Sequence, residues 1–298
     1  MKCSVDRSDS LASVPPPSPK RGFHAQDVVA VFVRQGRCCR RIPSDRAPRP
    51  NTSAPPAPAT PPAPDYTLTA NVGLFSEYIF RGLSQTAGKP AVQGGFDWAH
   101  SSGFYLGTWG SNISWLEDFN LYSRSSLEWD FYGGYKWAIN DDLNLDLGTL
   151  YYLYPGKKNP GVVSANTWEL YAALNWKWLG AKASYSLDDY FGAQPTGRKT
   201  DGTWYFDFYA NYPVGETGFA IIGHYGILNV AHDGSGNSKA SYNDWKVGGS
   251  YTVGDGALKG LEVGAYYSGN DAKKAFYTDT TGYNTAKDVA VVYVKKTF

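Results

Sequence analysis

The side chains that could carry out acid–base chemistry or bind a metal are few and scattered. Histidine occurs only as His24, His100, His224 and His232, and the three cysteines all precede residue 40. A hydrolase needs a nucleophile, a histidine and an orienting group within hydrogen-bond reach of one another. Only His232 has a carboxylate beside it, at Asp233, and adjacent residues of an extended chain point in opposite directions. We therefore predict no catalytic, metal or cofactor-binding residue.

A second group of ionisable side chains is more numerous, and its members alternate with apolar or aromatic residues. Charged groups within a membrane are costly unless they pair or face water. We therefore predict that this group lines a polar lumen, where its members either border a narrow aqueous path or pair and close it. The mixture of signs argues against strong anion selectivity. The predicted lumen-lining residues are Glu77, Arg81, Asp97, Glu128, Asp130, Lys136, Asp146, Glu169, Lys177, Lys182, Asp188, Asp207, His224, Lys246, Glu262 and Lys295.

The segments that carry these residues have the two-residue period of β-strands. Between residues 142 and 154, Leu145 and Leu147 share one face, whereas Asn144 and Asp146 share the other. This alternation indicates strands with one apolar face, long enough to cross a membrane at a tilt. About twelve such strands are predicted, near residues 67–81, 90–100, 103–113, 123–139, 142–154, 166–178, 179–189, 202–212, 217–230, 243–254, 259–270 and 288–298.

Short and long connections alternate strictly between these segments. Short turns are predicted at 101–102, 140–141, 179–180, 215–216 and 254–256. Longer polar loops are predicted at 84–89, 115–122, 155–165, 190–201, 231–242 and 271–287. Short periplasmic turns and long external loops are typical of antiparallel up-and-down barrels of the bacterial outer membrane. The fold class is therefore predicted to be all-β, a transmembrane barrel over residues 65–298.

Aromatic residues are expected at the two levels where such a barrel meets the lipid headgroups. The predicted belts comprise Tyr78, Phe80, Tyr151, Trp168, Trp204 and Trp245 at the outer ends, and Trp98, Trp137, Trp176, Trp178 and Tyr212 at the inner ends. The chain ends in a strand whose last residue is Phe298, the position that outer-membrane barrels commonly present to the assembly machinery. Within the first strand, Glu77 and Arg81 are predicted to share a face, with Asp97 or Glu128 as the partner of Arg81.

The first 64 residues differ from the rest because they are rich in proline, alanine and arginine. Such a segment cannot bury enough apolar surface to offset its ordering entropy, so disorder is predicted. An exported protein would instead begin with an apolar stretch of roughly 7–15 residues, and the longest apolar run here is 28–33. We expect a wrong start or a frame error upstream of Ala54, in place of a signal peptide; a genuine disordered arm is the alternative.

One stretch of the sequence resembles a known family. Residues 69–86 read TANVGLFSEYIFRGLSQT, and Lys89-Pro90-Ala91, residues 93–97 (QGGFD) and residues 132–135 (YGGY) follow. These motifs resemble the TorF family of porin-like proteins, and the resemblance extends over about 66–298. It implies an outer-membrane barrel exported through a signal peptide, and it implies no particular substrate. The first 64 residues depart from the family pattern.

The composition narrows the functional classes. Aromatic residues make up 16% of the chain, charged residues 18%, and the net charge is +1, which gives no reason to expect a nucleic-acid partner. We predict a porin-like channel for small polar or ionic solutes, with outer-membrane lipid and the barrel-assembly machinery, through Phe298, as partners. Two alternatives stay open: a closed or plugged structural or adhesive barrel, and an enzyme acting at the outer rim of the barrel, such as a phospholipase or protease.

Overall fold

The fold is a closed antiparallel sheet of twelve strands, as the alternating sequence pattern predicts. The computed structural model describes residues 64–298, so the predictions for His24, the cysteines and the segment up to residue 63 lie outside the described residues. The strands of the barrel are β1 (Tyr66–Phe75), β4 (Ala91–His100), β5 (Phe104–Asn112), β7 (Leu127–Ala138), β8 (Leu143–Leu153), β10 (Thr167–Trp176), β11 (Leu179–Ser186), β12 (Trp204–Pro213), β13 (Phe219–Asn229), β14 (Tyr242–Thr252), β15 (Leu261–Asn270) and β16 (Val289–Thr297). The remaining numbers belong to short strands in the connections, which are described below.

The barrel closes because its first and last strands pair with each other. Asn71 of β1 lies opposite Thr297 of β16, and the pairing continues to Phe75 opposite Tyr293. Every other strand pairs with the strands before and after it in the sheet. The connections 101–103, 139–142, 177–178, 214–218 and 253–260 lie at one end, which we call the short-turn end. The opposite, long-loop end carries the remaining connections.

The outer surface of the barrel is apolar. Side chains such as Leu68 and Phe96, each 68% exposed, point away from the lumen. A contiguous apolar exterior of this kind is stable only against lipid or a partner, whereas a soluble barrel presents polar side chains there. Trp168 and Trp204 are exposed near the long-loop end, and Trp137 near the short-turn end, as the belt prediction requires. No helix within residues 64–298 is long and apolar enough to cross a membrane.

Inside the barrel, tyrosine rings lie flat over glycines of the neighbouring strand. Tyr209 lies opposite Gly180, and a Cβ placed on that glycine would come within 2.2 Å of the ring. Tyr171 over Gly148 repeats the arrangement two strands away. Glycine is required at these positions because its missing side chain leaves room for the ring. The rings therefore lie along the wall and do not cross the lumen.

The structure corrects the predicted extent of the first strand. β1 ends at Phe75, not at residue 81, and the following residues turn into the lumen. A short hairpin, β2 (Ile79–Phe80) with β3 (Leu83–Ser84), forms the tip of this segment. The chain reverses there because Arg81 (φ 47°) and Gly82 (φ 75°) both adopt the left-handed region. We refer to residues 76–90 as the inward loop.

The inward turn also changes the role of two predicted belt residues. Tyr78 is buried within the barrel, and Phe80 packs beside Tyr152 and Phe191. Both aromatic rings therefore belong to the interior and not to the lipid-facing belt. The long-loop end contains two clusters of buried apolar residues, one around Tyr78 and Leu116 and a second that involves other loops.

The connections at the long-loop end carry short elements of their own. These are the one-turn helix α1 (Trp115–Asp118), the two-stranded ribbon of β6 (Tyr122–Arg124) with β9 (Lys157–Lys158), and 3-10 turns at Tyr190–Gly192 and Gly236–Ser238. Further loop contacts, such as that of Thr280 with the carbonyl of Asp118, connect the last long loop to α1. The lumen is therefore covered by folded loops at this end.

Candidate functional site

Arg81 forms the central ion pair of the lumen. Its Nη1 and Nη2 donate to Oε1 and Oε2 of Glu169 at 2.9 and 2.8 Å, the two-pronged geometry that suits a guanidinium and a carboxylate. The pair is buried, with side-chain exposures of 7% and 2%. Nη1 also donates to the hydroxyl of Tyr190 at 3.2 Å, and burial raises the pKa of Tyr190 to about 12. The guanidinium lies 4.2 Å from the ring centre of Tyr205.

The backbone of the inward loop is fastened to the wall at β14 and β15. Tyr242 donates its hydroxyl to the carbonyl of Arg81 at 2.7 Å, and the side-chain amide of Asn270 donates to the carbonyl of Gly82 at 2.8 Å. A Cβ on Gly82 would come within 2.5 Å of the Cβ of Asp244, so the backbone touches the wall there. The tip is therefore held both by its side-chain ion pair and by its main chain.

A carboxylate–imidazole–carboxylate row lies directly below the tip. Nδ1 of His224 is 2.5 Å from Oδ1 of Asp207, and Nε2 is 2.5 Å from Oδ1 of Asp244. The hydroxyl of Tyr205 donates to Oδ2 of Asp244 at 3.0 Å. Because a neutral imidazole carries one N–H, donation from both ring nitrogens requires the protonated form. Through Tyr205, which also contacts Arg81, this row is connected to the tip of the inward loop.

Two lysines face the same space. Lys182 and Lys246 line a cavity of about 220 Å³ at mid-height in the barrel, together with the tip of the inward loop and the His224 row. The ammonium of Lys182 lies 4.0 Å from the ring centre of Tyr171, and that of Lys246 lies 5.2 Å from that of Tyr266. The cavity is therefore a polar chamber bounded by the inward loop on the side of the long loops.

Above the cavity, carboxylates hold the loops in place. Glu77 accepts hydrogen bonds from Ser84, from the backbone of Gly88 at 3.0 Å and from Tyr283 at 2.8 Å. Glu128 accepts from the hydroxyls of Tyr78 and Tyr154, each at 2.7 Å. Asp130 is buried beside them, and its Oδ1 has no hydrogen-bond partner within the described part of the chain.

Below the cavity, charged residues of the wall become progressively more accessible. Asp97 accepts from Tyr132, and Asp146 accepts from Tyr105, each at 2.6 Å. Lys136 is exposed near the short-turn end. Glu262 pairs with Lys295 at 3.2 Å and accepts from Tyr293. The lumen is thus lined by polar groups from its short-turn end up to the inward loop.

Two of the predicted lumen residues lie elsewhere. Lys177 belongs to the turn between β10 and β11, where its ammonium pairs with Asp142 at 3.3 Å and is 49% exposed. It has left the strand because its φ of 52° ends the extended conformation. Asp188 follows the end of β11 and is exposed in a loop.

The predicted partners of Arg81 were also wrong. Because the inward turn moves Arg81 off the first strand and across the lumen, Glu169 of β10 replaces Asp97 or Glu128.

The rim pair weighed as a catalytic candidate serves the structure of its loop. Nδ1 of His232 contacts the carbonyl of Lys199 at 2.8 Å, and Asp233 accepts from the backbone amides of Gly234, Ala240 and Ser241. Partial burial raises the pKa of Asp233, but these hydrogen bonds lower it by more, so the net pKa is below its usual value. Within residues 64–298, no cluster of three or more histidine, cysteine or carboxylate side chains is placed to hold a metal.

Asp244 and Tyr205 are site residues that were not predicted from the sequence. Both alternate with lipid-facing aromatics, Asp244 beside Trp245 and Tyr205 beside Trp204 and Phe206. Their inward position could therefore have been inferred from the same two-residue period. Their contact with Arg81 and His224 could not, because it depends on the fold of the inward loop.

Comparisons with known proteins identify one matching family and several similar solved structures. The family model described as "Bacterial protein of unknown function (Gcw_chp)" matches residues 59–298. A search of curated proteins found no match. Among solved structures, the KdgM porin is similar at 8% identity and a TM-score of 0.46, over 77% of this chain and 98% of that chain. The NanC porin is similar at 12% identity and 0.47, over 78% and 99%. The outer membrane protein OprD from Pseudomonas aeruginosa is similar at 17% identity and 0.38, over 78% and 65%.

Proposed function

The chain belongs to the Gcw_chp family of bacterial proteins of unknown function, and we propose that it is an outer-membrane channel for the passive passage of small polar or ionic solutes. We also propose that the chain belongs to the TorF family, which its sequence motifs resemble. In this account the short turns face the periplasm, the long loops face outward, and the inward loop forms the constriction. Phe298, which is exposed at the end of β16, is the residue offered to the assembly machinery.

One observation supports a channel more than any other. The inward strand faces carry polar side chains along the whole wall below the inward loop, including the half-buried Asp97, Asp146 and Lys295. A polar and partly exposed inner wall of this kind is typical of the water-filled lumen of porins. The constriction itself is fixed by polar contacts, chiefly that of Arg81 with Glu169.

A closed barrel is the second candidate, and one observation favours it. The long-loop end is filled by buried aromatic clusters around Tyr78, Tyr154 and Tyr190. Under this alternative the loops form a permanent cover, and the function lies on their outer surface.

Single-channel recording in a planar bilayer separates the two candidates. The refolded full-length protein is added to one side, and folding is checked by its heat-dependent mobility on a denaturing gel. Discrete openings support a channel, whereas a folded barrel that stays silent rejects it in favour of the closed barrel.

A further inference from the structure

The ionic groups around the cavity are unequally paired. The two carboxylates that line the cavity, Asp207 and Asp244, pair with His224, and Glu169 pairs with Arg81. The two ammonium groups have no such partner. Within residues 64–298, neither Lys182 nor Lys246 lies within 4.0 Å of a carboxylate oxygen.

This pairing gives the cavity a net positive character. Arg81 and Glu169 cancel, and the protonated His224 offsets one of its two carboxylates. The remaining carboxylate charge is outweighed by Lys182 and Lys246, which leaves one net positive charge among these seven groups. An ammonium withdrawn from bulk water is costly without a counter-ion, and the tyrosine rings beside the lysines compensate only in part.

The two lysines also stand apart on the wall. Lys182 lies on β11 and Lys246 on β14, with β12 and β13 between them. At a strand spacing of about 4.8 Å, their backbones are separated by roughly 14 Å along the wall. A single carboxylate satisfies one ammonium at a time, whereas two linked carboxylates can satisfy both across a chamber of about 220 Å³.

We propose that the cavity is a binding site for a small organic dianion, with one carboxylate held by Lys182 and the other by Lys246. Lysine suits this task because its ammonium is a point charge on a flexible stem and adapts to carboxylates of different spacing. As a statement about which solutes the channel carries, this proposal rests on the proposed function. Binding itself, however, requires only that the solute reaches the cavity from the short-turn end.

Calorimetric titration of the refolded full-length barrel in detergent, at fixed ionic strength, tests the site. Succinate is the probe, acetate is the single-carboxylate comparison, and putrescine is a dication of similar length. Wild-type protein is expected to bind succinate more tightly than acetate and to bind putrescine least. Stronger binding of putrescine, or no binding of succinate, overturns the proposal.

Matched lysine variants locate the binding. Lys182→Met and Lys246→Met are each expected to weaken succinate binding about tenfold, the effect of one charge-assisted hydrogen bond. Lys177→Met is the control, because that lysine lies in an exposed turn outside the cavity. Equal affinities in all three variants contradict the site. If Lys246→Met fails to fold, Lys246→Gln replaces it. Lys182→Arg keeps the positive charge and should therefore retain succinate binding.

Failure of this proposal can be distinguished from failure of the proposed function. A barrel that binds succinate in detergent but never conducts would support the dianion site and reject the channel function. A barrel that conducts without binding succinate would support the channel function and reject the dianion site.

Discussion

Arg81 combines three unfavourable conditions that its surroundings compensate. Its charged side chain is buried in the lumen, its backbone is left-handed, and it lies in the inward loop, outside the hydrogen-bonded strand β1. The contacts with Glu169, Tyr190 and Tyr205 offset the desolvation, and Tyr242 fixes the carbonyl of the strained residue. Residues held in such conformations persist only where the surrounding structure determines them, and they are concentrated at functional positions.

Removal of Arg81 is therefore expected to be costly. Arg81→Ala leaves the buried Glu169 without a partner, which should lower the free energy of unfolding by about 3–5 kcal/mol. Urea unfolding of the refolded barrel measures this loss. Adding Glu169→Gln to Arg81→Ala should restore part of it, because the stranded charge is removed. The control, Lys177→Ala, breaks an exposed pair and should cost about 0–1 kcal/mol. Similar losses in the free energy of unfolding for Arg81→Ala and the control would show that the buried pair does not stabilise the inward loop.

A second prediction at this scale concerns the pH dependence of the loop 230–241. The pKa of Asp233 is lowered in the folded protein, so its stabilising contacts are complete above the ordinary value of about 3.9 and are lost as the pH falls through the lower folded value. The amide resonance of Ala240, which donates to Asp233, should therefore titrate with a midpoint below about 3.9. In Asp233→Asn the step should vanish. A midpoint at or above the ordinary aspartate value of about 3.9 would contradict the structure of this loop.

At the scale of elements, the sequence predicts the strands well and the inward loop poorly. The two-residue period locates all twelve barrel strands, because lipid outside and polar groups inside impose opposite demands on alternate residues. The end of β1 is missed because Tyr78 and Phe80 continue that alternation beyond Phe75. The reversal at Gly82 brings the backbone close to Asp244, which is far away in the chain, and no local pattern reports such a contact.

The flat tyrosines of the wall yield a prediction about glycine. Gly180→Ala places a Cβ within 2.2 Å of the Tyr209 ring, which must move, so the free energy of unfolding should fall by about 1–3 kcal/mol. Gly223→Ala is the matched control, since the nearest atom lies 4.0 Å from its added Cβ. The same urea measurement compares them. If both variants unfold alike, the rings do not depend on the glycines beneath them.

The lipid-facing side of β8 offers a test of depth. Leu147 is 50% exposed near the middle of the strand, and Leu143 lies on the same face near the short-turn end. An arginine should cost about 2–4 kcal/mol at the bilayer midplane and about 0–1 kcal/mol near the interface. Leu147→Arg should therefore impair folding into lipid vesicles much more than Leu143→Arg. Equal costs would mean that the exposed band of this strand does not lie in the membrane as assigned.

At the scale of the whole molecule, the two ends of the barrel differ in kind. The lumen is lined by accessible polar groups from the short-turn end to mid-height, and folded loops cover it above the cavity. The inward loop marks the boundary between these halves. A channel of this construction should conduct weakly, and its conductance should be set by the inward loop more than by the width of the barrel.

The central claim is that a conducting lumen is narrowed by the inward loop, and single-channel conductance of a loop-shortened barrel tests it most directly. In this variant a short glycine–serine linker replaces residues 77–89, and Glu169→Gln prevents a stranded charge. Wild-type protein is the control, and heat-dependent gel mobility verifies folding of both. Discrete openings are expected in both proteins, with a larger conductance in the shortened one. Two folded but silent barrels, or equal conductances, would contradict the claim.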